Sequence, residues 1–189
     1  MGGESLHRSI IIGQLSLIVC CIFYLIWWSL CYKPNVVVDR LDGIRGALLL
    51  ITALCGLVGV CFSVHGMGML SVQHPMFSGS KIIGVGILTY IVLLLITVFG
   101  FHRPVTTELL LITGWMMLET CLINDLYGAQ IVSSSRYWVL IVVLVLAFFV
   151  SMVLYVLYYR MEPMKAYYAA MVPLITEAIS MAIVLILSF

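Results

Sequence analysis

The stretch "YWVLIVVLVLAFFVSMVLYVLYY", Tyr137–Tyr159, runs 23 residues with only Ser151 as a polar interior residue. About 20 consecutive apolar residues in a helix cross a hydrocarbon layer of ~30 Å. Water-facing surface cannot be built from such a segment. On either side of it, five more stretches read the same way, at 9–32, 46–68, 82–101, 108–128 and 168–189, with this one at 137–159. Hydrophobic residues make up 64% of the 189-residue chain and charged residues 9%. Soluble domains carry about 25% charged residues, and the mean hydropathy of +1.22 points the same way.

Inside hydrocarbon every backbone N–H and C=O must find its partner within the protein, which forces helices. The expected fold is therefore an all-α integral membrane protein, a compact bundle of six transmembrane helices with short loops. Residues 1–189 read as a single six-span membrane domain. The opening "MGGESLHRSIIIGQLSLIVCC" sets basic Arg8 before an apolar run, as secretory signals do. That run continues to Tyr32, too long for a signal core, and no small-x-small cleavage site follows. It is the first span.

The net charge of +1 gives no reason to expect nucleic acid. The distribution of basic residues is more informative. Lys33, Arg40, Arg45, Arg103, Arg160 and Lys165 fall on connections 1–2, 3–4 and 5–6, while Arg8, Lys81 and Arg136 fall on the opposite side. The positive-inside rule then places both termini outside, in a plasma membrane of the bacterial inner-membrane type. Cys20, Cys21, Cys31, Cys55, Cys61 and Cys121 lie in or at the ends of spans without C-x-x-C spacing, so they read as packing residues. Neither a structural metal nor a cofactor is expected.

"LLLIT" occurs at Leu48–Thr52, Leu93–Thr97 and Leu109–Thr113. Superposing the first and third copies sets Val58 against Glu119 and Val64 against Asp125, so neither carboxyl repeats and composition explains the recurrence. Aromatic residues gather near span ends, at Trp27–Trp28, Tyr127, Tyr137–Trp138, Tyr158–Tyr159 and Tyr167–Tyr168. That is the pattern of an interfacial belt. The fifth span, with so little polarity, reads as an outer, lipid-facing helix.

"RLDGIRGALLL", Arg40–Leu50, resembles the opening of the membrane acyltransferase-3 family, in which D-G-x-R enters a span and a histidine follows the arginine after ten residues. Here that position holds Gly56. The resemblance would imply a catalytic base that this chain lacks and ten or so spans against six, so the stretch reads as a convergent charged turn with Arg45 snorkelling at the headgroups.

The fourth span carries the chain's concentration of polarity. At 100° per residue, Thr120, Cys121, Asn124, Asp125 and Gly128 share a wedge about 140° wide, and Glu119 lies nearly opposite. A charge at mid-bilayer costs ~3 kcal/mol or more, so protein must cover both faces and span four is the expected central helix. On the sixth span Ala169, Pro173, Thr176, Glu177 and Ser180 fall within about 100° of one another. Pro173 removes a donor and clashes with the carbonyl of Ala169, which predicts a kink one turn before Glu177. Thr52, Cys55, Gly56, Gly59, Ser63 and Gly66 form a small-residue stripe on span two, expected to receive span four or six. Gln14, His65 and Asp125 sit toward the external side, where they would form the polar mouth of a funnel floored by Glu119 and Glu177.

The function these features favour is a small secondary transporter, or an ion- or proton-coupled solute-handling protein, with a buried carboxylate site between spans four and six. The expected solute- or proton-binding residues are Glu119, Glu177, Asp125, Asn124, Thr120, Thr176, Ser180 and His65, with no catalytic residue and no metal ligand. Expected partners are the lipid bilayer, a small solute or cation, and a second copy or a partner membrane subunit. One alternative is a substrate-binding membrane subunit or sensor, similar to the S-components of energy-coupling-factor importers in size only. Another is a structural membrane protein whose glutamates act as interhelical hydrogen-bond glue. An enzyme is less favoured, since neither H-E-x-x-H nor G-x-S-x-G occurs.

Overall fold

A computed structural model of the protein describes residues 2–34, 42–102 and 107–189. All its regular structure is helical: α1 (Gly2–Cys31), α2 (Asp42–Gly68), α3 (Gly79–Leu95, continued by a π-helical turn at Ile96–Gly100), α4 (Thr107–Gly128), α5 (Ser134–Tyr158), α6 (Pro163–Ala169) and α7 (Met171–Ser188). Six helical segments are long and apolar enough to cross a membrane, with α6 and α7 together making the sixth. Arg40 and Arg103 of the charge tally, and the first two residues of the acyltransferase-like stretch, lie outside the described residues.

Half of the most apolar 18 residues of α4 are buried, against 28% for α5 and 6% for α3. The helix with the most polar side chains is thus the most enclosed, as burial cost requires. The outermost helix is α3, not α5 as its composition suggested. α3 packs on α4, whereas α5 lies against both α4 and α7. The buried face of α5 is Tyr137, Leu140, Leu144, Ala147, Ser151 and Tyr155. Those residues are spaced three or four apart, so they form one seam along the helix. Uniform hydrophobicity had concealed that seam. Its opposite face, with Val142, Leu146 and Phe149, is exposed.

The stripe on α2 receives α1, not span four or six. A Cβ on Gly59 would meet the side chain of Leu17 at 2.7 Å, and one on Gly66 would meet Ile10 at 2.6 Å. Gly13 of α1 returns the fit, because a Cβ there would lie 2.7 Å from the backbone nitrogen of Ser63. Cys20 Sγ adds a bond to the Thr52 carbonyl at 3.3 Å. Small residues on both helices make this approach possible; the wheel projection fixed the face but not the neighbour. Gly13→Leu is expected to separate the pair and lower stability by about 1–3 kcal/mol, the range for overpacking. Thermal unfolding in detergent checks this.

Toward one end of the bundle a pocket wider than the cleft at the other end lies between α3, α4 and α5, lined by Phe77, Lys81, Thr89, Thr113, Thr120 and Phe148, while the interior beside it is filled. Ile10, Leu122, Ile123, Leu126, Leu140, Leu144 and Val184 are buried there around α4. At the other end, where α1 and α5 finish and α4 begins, the helices leave a cleft.

Candidate functional site: a carboxylate cleft and a buried amide–acid bridge

The sixth span breaks between Ala169 and Met171, one turn upstream of Pro173. A proline has no N–H and crowds the carbonyl four residues earlier, so the break falls in the turn that the sequence indicated. Past the break, hydroxyls of α7 bond back to carbonyls of their own helix. Thr176 Oγ1 donates at 2.8 Å to the Pro173 carbonyl and lies 3.1 Å from that of Val172. The Ser180 hydroxyl donates to the Glu177 carbonyl at 2.8 Å. Trp28 Nε1, from α1, donates to the Tyr167 carbonyl at 3.3 Å and so ties α1 to the broken segment.

The cleft lies beside this break and encloses a cavity of about 60 Å³ that opens outward. Glu177 and Glu108 are its two carboxyls, and Tyr24, Trp28, Tyr155 and Tyr158 supply aromatic walls. Glu177 is 6% exposed. Its carboxyl has no hydrogen-bond partner among the described residues, although it faces the cleft. The residue's remaining accessible surface and its place in the lining leave this carboxyl open to whatever occupies the cleft.

Glu119 is elsewhere. It is fully buried and accepts a 2.8 Å hydrogen bond from Gln14 Nε2, which is itself fully buried. The backbones of α1 and α4 do not approach closely, and two long side chains span the gap between them. Glu177 lies near Cys20 and Cys21 of α1, six or seven residues beyond Gln14 and hence about 10 Å further along that helix. The expectation that Glu119 and Glu177 share one hollow is therefore corrected. Both sit mid-span by residue count, but the helices are staggered, and only Glu177 reaches the cleft.

The external funnel is not formed either. Gln14 bonds Glu119, His65 is exposed at the end of α2, and Asp125 is half-buried. Asn124 makes a reciprocal pair with the backbone of the α2–α3 connection: Phe77 N donates to Oδ1, and Nδ2 donates to the Phe77 carbonyl, both at 2.9 Å. Beside it, Gln73 N donates to the Gly128 carbonyl at 3.1 Å. A Cβ on Gly128 would lie 3.0 Å from the Pro75 backbone, so glycine is needed there. Thr120 donates to the Met116 carbonyl of its own helix at 2.7 Å. Asn124 is thus a clamp on the connection. Asn124→Leu strands two backbone groups and is expected to cost about 2–4 kcal/mol; Asn124→Asp keeps the acceptor but loses the donor. Unfolding of the two variants in detergent checks the order.

Of the expected site residues, the structure brings Glu177 to the cleft, with Thr176 and Ser180 on the adjoining turns. It places Glu119, Asn124, Asp125, Thr120 and His65 away from it. Glu108 was missed, along with the aromatic walls. The available signal was an acidic residue opening span four, on the same side as Trp28 and Tyr158 along the antiparallel path; an interfacial belt accounted for the aromatics too readily. Comparison of the chain with protein-family models, with curated proteins and with solved structures gives no match.

Proposed function

We propose that the chain is a multi-pass integral membrane protein that binds and moves a small solute or cation through the cleft between α1, α4, α5 and the broken sixth span. The bilayer is its solvent: α2, α3 and α5 expose rows of large apolar residues, Leu50, Leu57, Val85, Leu88 and Phe149 among them. That much contiguous apolar surface is not tolerated in water. Lys33, Arg45, Arg160 and Lys165 lie toward the cleft end, and Arg8, Lys81 and Arg136 toward the other. By the positive-inside rule the cleft end is cytoplasmic and the termini are extracytoplasmic, in a plasma membrane of the bacterial inner-membrane type.

The observation that carries this reading is the unpartnered, buried Glu177 carboxyl facing an open cleft beside a broken helix, the arrangement from which transporters build binding sites. Filling the cleft tests it. Ala170 lines the cavity, and Ala170→Phe is expected to abolish solute-driven flux in liposomes while the protein stays folded. Unchanged flux across a solute panel would contradict the reading. A second reading holds for one residue: the Gln14–Glu119 bond favours a structural role for Glu119, as interhelical glue.

A further inference from the structure

We propose that the cleft takes a small alkylated ammonium cation, its head between Glu177 and Glu108 and against the rings of Tyr24, Trp28, Tyr155 and Tyr158; this rests on the reading of the cleft as a solute site. Four features converge on that class. The Glu177 carboxyl is buried, faces the cavity and has no partner among the described residues. A second carboxyl shares the wall, and no basic side chain is present among the described lining residues to balance either one. The aromatic rings present negative faces that attract a cation. The remaining wall is aliphatic, with Leu111 and Leu154 among it.

Other classes fit less well. An anion would meet two carboxyls, and a neutral solute would leave Glu177 without a charged partner among the described residues. Hard inorganic cations require about six oxygen ligands. The described residues contain no group of three His, Cys, Asp or Glu able to hold a metal ion. An alkylated ammonium spreads its charge over methyl or methylene groups and sheds water easily, which matches a wall of rings and aliphatic carbon. The Trp28 ring is fixed in place for such a contact. Its indole N–H is committed to the Tyr167 carbonyl, and the ring stacks on Tyr32 at 4.3 Å between centroids.

The test is calorimetric titration of the full chain in detergent with choline, beside 3,3-dimethylbutanol, its uncharged isostere. Saturable choline binding is expected, at least tenfold tighter than the alcohol. Glu177→Gln is expected to weaken it tenfold or more, and Trp28→Leu roughly three- to thirtyfold, the range of a cation–π contact. Equal binding of the two isosteres, or choline affinity unchanged in Glu177→Gln, overturns the proposal. So does absence of choline binding when an uncharged solute binds and is displaced by Ala170→Phe; the solute-handling reading then stands. Flux unaffected by Ala170→Phe removes both. Comparing the isostere pair on the unmutated protein keeps the test valid if a variant misfolds.

Discussion

Glu119→Leu is expected to destabilise the protein by about 2–3 kcal/mol, because it leaves the buried Gln14 amide with no acceptor and no water to replace it. Glu119→Gln should stay within about 1 kcal/mol of the unmutated protein, since an amide can still accept from Gln14 Nε2 and donate back to Gln14 Oε1. That second bond matters because Gln14 Oε1 and Glu119 Oε2 are both buried without a partner. An amide, or a neutral acid, at 119 has the donor that a carboxylate lacks. Interhelical hydrogen bonds in membranes average well under ~2 kcal/mol, as the unfolded reference also finds partners. The larger figure for leucine comes from stranding the amide, not from the bond itself. Thermal or denaturant unfolding of the pair in detergent gives the comparison, with solute binding retained in Glu119→Gln.

Glu177→Gln is expected to behave in the opposite way. Its carboxyl has no protein hydrogen bond to lose, so stability should change by less than about 1 kcal/mol. Solute-driven flux in liposomes should fall by about a hundredfold or more, the scale of a ~3 kcal/mol loss of charge compensation. Glu108→Gln should have a smaller effect, since that carboxyl lies at the first turn of α4 and is only partly buried. The two central glutamates are thus expected to separate by phenotype, Glu119 through stability and Glu177 through flux. A chain in which both glutamates were glue would lose stability at both positions.

The number and type of elements were legible in the sequence because hydrocarbon leaves helices as the only choice, and each span declared itself by length. The enclosure of α4 was legible too, since Glu119 and Asn124 lie on opposite faces and neither tolerates lipid. The pairing was not. A helical wheel tells which way a residue points, and nothing in it reports which helix stands there or at what stagger. So the α2 stripe could be read as a contact surface while its occupant, α1, could not. Glu119 and Glu177 had equal depth by counting but are offset along α1. Glu108 and Trp28 were hidden by the opposite difficulty. At span ends, acidic and aromatic residues have an ordinary interfacial explanation, and only coordinates show them converging on one void.

Carbodiimide labelling separates the two carboxyls most directly. A hydrophobic carbodiimide is incubated with the folded protein in bilayers, and modified peptides are then mapped by mass spectrometry. Modification at Glu177, blocked by Ala170→Phe, with Glu119 untouched until the protein is unfolded, is the expected result. Rapid modification of Glu119 in the folded protein with Glu177 protected would contradict the assignment of Glu177 to an open cleft and of Glu119 to the sealed contact with Gln14.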